Sequence, residues 1–224
     1  MKARVVNALG RGFDVEDVEI ATPRGREVLV DVQASGLCHT DLLFATHDIV
    51  PTPAVLGHEV AGIVAAIGPD VSHVHVAITS LGLLRRRAAG ALDVSPAARS
   101  SAQHPEATLR RPDDAPRLSR GGIGVFQGFG LGGFAEQALI HEQQLAVVPK
   151  EMPFAQAALL GCGVVTGAGA VLNTANVKPG ESVVIFGAGG VGLNAASGAR
   201  LAGASRIVVI DIQPKRLDAA RGAG

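Results

Sequence analysis

The chain lacks several features that would place it in a special class of protein. Only two of its 224 residues are cysteine, too few for a disulfide framework, so a reducing cytoplasm is the expected compartment. An excess of charge is missing too, because 20 Lys and Arg balance 20 Asp and Glu. No field is therefore expected that would recruit nucleic acid or an anionic membrane. No tandem repeat is visible, and the length suits one large domain or two small ones.

Apolar segments that would direct or anchor the chain are not expected either. The first seven residues include Lys2 and Arg4 and have no apolar core of the kind that a signal peptide needs. Residues 155–176 carry no charge, but they are rich in Gly and are interrupted by Gln156, Thr166 and Asn173. This composition predicts buried α/β structure rather than a membrane span.

The first part of the chain has the pattern of short β-strands. Residues 28–34 and 60–68 are rich in β-branched and small apolar residues, and glycine-containing turns follow them. Short strands of this kind predict a small barrel. Residues 85–120 have no clean period and many Arg, Pro, Ala and Ser residues, so they are expected to be loop or disorder.

An α/β pattern begins near residue 153. Helices are predicted over residues 154–159, 166–173, 191–201 and 214–221, and apolar strands over residues 182–186 and 206–210. A strand, a helix and a second strand in this order form a βαβ unit with a right-handed crossover. Two strands alone would leave apolar faces and an edge uncovered, which is an aggregation hazard.

The turn after the first of these strands carries a dinucleotide-binding motif, Gly187-Ala188-Gly189-Gly190-Val191-Gly192. Glycines permit the tight turn and the close approach of backbone to a pyrophosphate, whose charge the helix N-terminus favours. Asp211 ends the next strand, 19 residues after Gly192, where it would accept hydrogen bonds from ribose hydroxyls and repel a 2′-phosphate. The motif predicts NAD rather than NADP. The alternative is a glycine-rich turn in an ordinary α/β sheet.

Three residues of the kinds that bind zinc are Cys38, His58 and Cys162. Two thiolates and one imidazole leave a fourth position open for substrate, which is the pattern of a catalytic zinc. Taken singly, each residue has a simpler explanation. A lone Cys is usually a small buried hydrophobe, and a lone His is more often structural than a ligand.

The segments around these residues resemble the zinc-dependent medium-chain dehydrogenase family, specifically its alcohol dehydrogenases. The resemblance covers residues 1–76 and 103–224. It rests on Gly36-Leu37-Cys38-His39-Thr40-Asp41, on residues 53–62 and 160–167, and on the dinucleotide motif with Asp211. It implies an α/β plus β fold, with a GroES-like β-barrel catalytic domain over residues 1–152 and an incomplete Rossmann domain, doubly wound and parallel, over residues 153–224.

The resemblance also implies roles for single residues. It implies that one catalytic zinc is bound by Cys38, His58 and Cys162. It implies that Thr40 takes the proton of the alcohol, and that the acids beside the zinc orient and tune its ligands; these acids are Asp41 and Glu59. The coenzyme residues that it implies are His39 against the pyrophosphate, Thr166 near the nicotinamide, and Gly187, Gly189, Gly190, Val191, Gly192 and Asp211.

Relatives of this kind usually have a second, structural zinc held by four cysteines spaced C-x2-C-x2-C-x7-C. By alignment these cysteines belong at four positions that are here Ala88, Ala91, Val94 and Ala102. A Cys codon read one base late can give only Ala or Val, so we hypothesise a reading-frame slip; the alternative is a natural relative with an Arg/Ala-rich loop. In both cases no structural zinc is expected, and residues 77–120 are expected to be an irregular loop.

The sequence therefore predicts an oxidoreductase that uses zinc and NAD to transfer a hydride between an alcohol or aldehyde and the coenzyme. Two alternatives stay open. One is an inactive remnant of such an enzyme, frameshifted and truncated; the other is a non-catalytic zinc- or nucleotide-binding partner of a full-length dehydrogenase. The expected partner is a small-molecule alcohol or aldehyde, with no nucleic acid and no membrane. The resemblance to the intact family leaves a homo-oligomer open.

Overall fold

The computed structural model describes residues 1–72, 74–76, 79–82 and 108–222, with only the backbone for residues 79–82. These residues form two compact units, and the chain passes from the first to the second between Gly161 and Cys162. The boundary expected from sequence was earlier, after residue 152. The difference arises because the helical residues Phe154–Leu159 pack on two strands of the first unit.

The first unit is built mainly of short strands. They are β1 (Lys2–Val6), β2 (Asp14–Asp17), β3 (Glu19–Ile20), β4 (Glu27–Gly36), β5 (Ala54–Val55), β6 (Glu59–Ile67), β7 (Thr79–Gly82), β8 (Leu118–Arg120), β9 (Ile123–Gly124), β10 (Phe126–Gln127), β11 (Gln137–His141) and β12 (Leu145–Val147). They form sheets in the orders β10-β5-β1-β2, β11-β4-β6-β7-β12 and β3-β8-β9. Neighbouring strands are antiparallel except β5 and β10. Helix α1 (His39–Thr46) follows β4, and 3₁₀ turns occupy Gly128–Gly130 and Glu142–Gln144.

Alternate residues of β4 and β6 build the core of the largest sheet. Val28 and Val30 from β4 pack with Val60 and Val64 from β6, and all four side chains are fully buried or nearly so. Residues two apart on a strand share a face, and β-branched side chains pack well on a pleated surface. This pattern explains why the strands predicted at residues 28–34 and 60–68 are present in the fold.

Strand β4 has different neighbours on its two edges. One edge pairs with β6 from Val28 to Gly36. The other edge pairs with β11 only from Glu27 to Asp31, and Val32 adds one hydrogen bond to the carbonyl oxygen of Glu136. Within the described residues, no strand pairs with that second edge over residues 33–36. A groove of about 380 Å³ lies there.

The expectation of an irregular loop over residues 77–120 is wrong in two places. Strand β7 (Thr79–Gly82) pairs with β6 and β12, and β8 (Leu118–Arg120) pairs with β3 and β9. Both are stabilised by partners distant in sequence, so the lack of local periodicity did not reveal them. The four positions at which structural cysteines were expected lie outside the described residues.

Charged side chains buried beside β4 hold residues 108–117 in place. Glu27 is only 5% exposed. Its carboxylate accepts hydrogen bonds from Arg110 Nε at 2.9 Å and Nη2 at 2.7 Å, and from Arg117 Nε at 2.8 Å. Although burial raises the pKa of Glu27, these two guanidinium groups lower it to about 2. Glu27 therefore stays ionised and paired, as a buried charge must.

A continuous helical segment, α2, runs from Phe154 to Thr174, with wider π-type turns at Leu160–Val164 and Ala170–Thr174. By length and composition it is the one described helix that could cross a membrane. Its first part contributes Ala157 and Ala158 to the core of the first unit. Its last part contributes Val171 to the core of the second. These buried contacts agree with the predicted α/β core role.

The second unit contains the predicted βαβ arrangement. Strands β13 (Ser182–Phe186) and β14 (Arg206–Ile210) are parallel and in register, and helix α3 (Gly190–Leu201) connects them. Helix α4 (Pro214–Gly222) follows. Ile185, Ala195 and Ala199 form the core with Val171. The apolar faces expected to be uncovered are exposed, with Phe186 81% and Val184 54% accessible.

Candidate metal centre and coenzyme site

Asp41 is the residue around which the metal centre is organised. Its side chain is 1% exposed. One carboxylate oxygen accepts hydrogen bonds from the backbone N–H of Gly57 and from Nδ1 of His58, both at 3.0 Å. The other oxygen accepts the backbone N–H of Cys38 at 3.0 Å. A single carboxylate thus fixes the two segments that carry Cys38 and His58.

The hydrogen bonds of His58 leave one ring nitrogen available for a metal. The side chain is fully buried. Nδ1 donates to Asp41, so Nε2 carries the lone pair, and Nε2 has no hydrogen-bond partner in the described part of the chain. A buried polar atom without a partner costs free energy unless something binds it. A carboxylate–histidine pair with the second nitrogen free is the usual arrangement of a zinc-bound His, so these residues fit the metal.

Cys38 offers the second ligand of this cluster. Its Sγ lies within 4.8 Å of a ring nitrogen of His58. Burial raises the pKa of the Cys38 thiol, but hydrogen bonds from the N–H and hydroxyl of Thr40 and the neighbouring His58 lower it by more, so its pKa lies below the ordinary value. Burial lowers the pKa of His58, and Asp41 and Cys38 raise it by more. The thiolate, which is the metal-binding form, is therefore favoured.

A strained glycine brings His58 into this cluster. Gly57 has a φ of +90°, which L side chains rarely adopt. A Cβ at this position would lie 2.6 Å from Cδ1 and 2.7 Å from the backbone nitrogen of Phe134. The turn therefore requires Gly, and it lets the Gly57 N–H reach Asp41 directly before His58.

The glycine motif of the second unit has the geometry of a phosphate-binding turn. Gly187 has a φ of +97°, and a Cβ on Gly192 would lie 1.8 Å from the Gly187 carbonyl oxygen. By contrast, a Cβ on Gly189 or Gly190 would meet nothing within 4 Å. Two glycines are thus required by the fold itself, while the other two leave open space at the start of α3. Such space is what a pyrophosphate needs at a helix N-terminus.

Asp211 closes the same turn from the end of β14. Its carboxylate accepts the backbone N–H of Ala188 at 2.7 Å and that of Gln213 at 2.8 Å. These two N–H groups, with smaller help from Arg216, lower the pKa of Asp211 below its usual value. The acid is ionised and held in position, as the ribose-binding role requires.

Comparisons with known proteins agree with this geometry. Residues 24–78 match the family described as alcohol dehydrogenase GroES-like domain. The chain is 37% identical over 232 residues to an S-(hydroxymethyl)glutathione dehydrogenase of Escherichia coli O139:H28, and 36% identical over 228 residues to one of Synechocystis sp.. It is similar to the solved structure of an alcohol dehydrogenase zinc-binding domain protein from Burkholderia ambifaria, with 40% identity and a TM-score of 0.88. It is also similar to the crystal structure of benzyl alcohol dehydrogenase from Acinetobacter calcoaceticus, with 37% sequence identity and a TM-score of 0.84.

Over its whole length the chain is therefore similar to zinc-dependent alcohol dehydrogenases. The matches to the two curated relatives include the whole chain and 62% of each relative. For the two structures the corresponding shares are 62% and 61%. The chain therefore spans less than two thirds of the length of the proteins that it resembles. The expected fold class, a GroES-like domain followed by Rossmann-type α/β structure, is confirmed.

Glu59 lies close to the backbone of Gly36. Glu59 is 4% exposed and stands opposite Gly36 in the pairing of β6 with β4. A Cβ on Gly36 would lie 2.0 Å from Oε2 of Glu59 and 2.9 Å from its Cβ. Gly36 thus provides the space in which the Glu59 carboxylate lies, directly after His58 in sequence.

The remaining predicted site residues are described by their place in their own elements. His39 is exposed at the first position of α1, and Val191 is exposed near the start of α3. Cys162 is half-buried in the first π-type turn of α2, and Thr166 is exposed one turn later. The structure brings Cys38, Thr40, Asp41 and His58 together; the remaining roles stay predictions.

Sequence reasoning missed the aromatic residues around the metal cluster. The rings of Phe44 and Phe129 stack with centroids 5.0 Å apart, and Phe129 packs edge-on against His58 at 5.1 Å. Phe129 has a φ of +56°, which is uncommon for a bulky residue. Its place in the glycine-rich run Gly128-Phe129-Gly130 was the signal that could have found it, because such a turn can hold an aromatic ring in a fixed position.

Proposed function

We propose that this chain carries the zinc and NAD machinery of a cytoplasmic alcohol dehydrogenase, which interconverts a primary alcohol and its aldehyde. The observation that carries the proposal is the fully buried Nε2 of His58, which has no partner in the described residues while Asp41 fixes Nδ1. A structural His would be expected to use both nitrogens. A metal ligand uses one for the metal and the other for an orienting carboxylate.

We assign Cys162 as the third ligand beside Cys38 and His58. Residues 160–167, which include Cys162, are one of the segments that resemble the zinc alcohol dehydrogenases, and this resemblance supports the assignment. The ligand set Cys–His–Cys leaves the fourth position open for substrate oxygen.

The residues near the cluster would guide the proton of the substrate. Zinc bound there would act as a Lewis acid and lower the pKa of a coordinated alcohol. Thr40, whose hydroxyl bonds Cys38, would accept the alcohol proton at its oxygen and pass it outward. Asp41 and Glu59 would hold the ligands in place, since both carboxylates are buried next to the ligand segments. Phe44 and Phe129 would exclude water and provide apolar contact for the carbon chain of the substrate.

The second unit would bind the coenzyme. NAD would supply the hydride acceptor, and its chemistry belongs to the cofactor. The open space at Gly189 and Gly190 supports the placement of the pyrophosphate against α3. The ionised Asp211 favours ribose hydroxyls over a 2′-phosphate, which supports NAD over NADP. His39 and Thr166 are proposed to contact the pyrophosphate and the nicotinamide ring, respectively.

The metal content of residues 1–224 tests this proposal. After removal of metal and reloading, we expect one zinc per chain, with strong loss in Cys38→Ala, His58→Gln and Cys162→Ala. His75→Gln is the matched control, because His75 is exposed and belongs to neither cluster. No bound zinc in the wild type would contradict the proposed metal centre. Two tightly bound equivalents would contradict the expectation that no structural zinc is present.

The same preparation separates the proposed enzyme from the two alternatives. Binding of NADH, followed by the fluorescence of its reduced nicotinamide ring, is expected with or without zinc, whereas NADH formation from benzyl alcohol is expected only with zinc present. Binding of zinc and NAD without turnover would favour the non-catalytic partner. Absence of both would favour the inactive remnant.

A further inference from the structure

A cavity of about 340 Å³ lies in the first unit, beside the turn that precedes β4. It belongs to neither the metal cluster nor the coenzyme motif. Five arginines line it: Arg24, Arg26, Arg110, Arg111 and Arg117. His141 from β11 lines it too, and the acids among its lining residues are Glu27 and Asp114. A concave site lined so strongly by one charge concentrates the opposite charge.

The acids nearby do not neutralise these arginines. Both oxygens of Glu27 are engaged by Arg110 and Arg117, one acid against two cations. Arg26 is paired with the buried Glu142. Among the lining residues, Asp114 is then the one acid left to balance Arg24 and Arg111. Asp70 lies close as well, since its Oδ2 is 3.6 Å from the Cβ position of Gly25, a lining residue. Five arginines therefore stand against four acids, and the cavity keeps a net positive charge.

Two guanidinium groups are available to a ligand. The side chains of Arg24 and Arg111 make no hydrogen bond or ion pair with any of the described residues, whereas Arg26, Arg110 and Arg117 are bonded. Both lie in turns with fixed backbones. The Arg24 N–H donates to Glu27 at 3.0 Å, and the Arg111 N–H donates to Asp114 at 3.0 Å. The turns therefore hold the two arginines at the cavity, and their side chains have no partner in the part of the chain that the structure describes.

We propose that this cavity is an oxyanion site for a phosphate group, either inorganic phosphate or a phosphate monoester. A phosphate anion suits this net positive charge. Its oxygens suit planar guanidinium groups, which bind phosphate through paired N–H donors. Arg24 and Arg111 are its direct ligands, and the network of Glu27 with Arg110 and Arg117 keeps the cavity positive and rigid.

His141 reports on the occupancy of this site. Burial, and then the charges of Arg26 and Arg117, lower the pKa of His141 to about 4. Its Nδ1 accepts the N–H of Gln143 at 3.2 Å, which leaves the proton on Nε2. An anion bound among the arginines cancels part of their field, so the pKa of His141 rises when phosphate binds.

The test is a titration of inorganic phosphate into the isotopically labelled full chain at constant ionic strength, with chloride as the balancing anion. Saturable shifts of residues around the cavity and a higher pKa of His141 are expected. Arg24→Gln and Arg111→Gln each weaken phosphate binding about tenfold, because each removes a charged hydrogen bond. Both side chains are exposed and unbonded among the described residues, so these variants keep the fold.

Arg11→Gln is the matched control, since Arg11 is exposed and does not line this cavity. A non-saturating response, or an equal loss in Arg11→Gln, would overturn the site and leave only general charge screening. Phenyl phosphate distinguishes the two sources. Tighter binding than inorganic phosphate identifies a monoester as the ligand, and equal binding identifies the free ion. Binding of inorganic phosphate or phenyl phosphate at this cavity requires neither zinc nor NAD, so the result is independent of the proposed dehydrogenase function.

Discussion

The carboxylate of Asp41 joins the two segments that carry Cys38 and His58. The resemblance identified it as an acid beside the zinc, and that could be read from its place three residues after Cys38. The sequence could not show that its two oxygens would join Cys38, Gly57 and His58. That arrangement depends on the positive φ of Gly57, a property of the folded turn. It makes Asp41 the residue on which the orientation of the metal site depends.

Replacement of Asp41 by Asn tests this dependence. The amide keeps the size but loses the charge, and it has only one oxygen to accept from three N–H donors. We expect zinc affinity to fall about 10- to 100-fold, the range typical of residues that orient metal ligands. Competition with a chromophoric chelator measures it. Asp48→Asn is the control, since Asp48 is exposed just after α1; equal loss in both variants would show a general charge effect instead.

At the scale of elements, prediction succeeded where the pattern is local. The strands at Ser182–Phe186 and Arg206–Ile210 and the helical residues Phe154–Leu159 agree with the expected ranges. Their apolar periodicity and flanking turns contain the information. Strand β8 was missed because its residues are ordered by distant partners. Arg117, next to β8, reaches Glu27 across 90 residues of chain. Charge pairs of this kind have no signature in a local window.

The same network gives β11 a pH dependence through His141. Its pKa is near 4 in the fold and about 6.5 in an unfolded chain. The unfolded state therefore binds the proton first, and stability is lost as pH falls from about 6.5 to 4. Glu27 has a pKa of about 2 in the fold, so its protonation lowers the free energy of unfolding only below about pH 4.5.

Urea unfolding at several pH values measures this effect. Between pH 7 and pH 4 the wild type is expected to lose about 2–3 kcal/mol through His141. His141→Gln cannot titrate, so its stability should change less over that range, while both proteins should weaken together below pH 4. Parallel curves from pH 7 to pH 4 would contradict the assignment.

At the scale of the whole molecule, the two units differ in how well they cover their apolar residues. The first unit buries β4 and β6 on a continuous core. In the second, side chains of β13 and β14 such as Phe186, Val184 and Ile210 are between 45% and 81% exposed. The sequence predicted this imbalance because it contains one βαβ unit. Which substrate the protein takes is a different matter, since the chain spans 62% of its curated relatives.

Amide hydrogens in the two halves of strand β4 should exchange with solvent at two different rates, because only the first half is paired on both edges. Amide protons of its first half, where both edges are paired from Val28 to Asp31, can exchange with solvent only when the sheet opens. Beyond Val32, no described strand pairs with the second edge of β4, here called the bare edge. Amides on the bare edge need no opening of the sheet, so deuterium should enter them orders of magnitude sooner. Mass spectrometry of peptides covering residues 27–36 would resolve the two rates. Uniform slow exchange along β4 would mean that the bare edge is covered in solution.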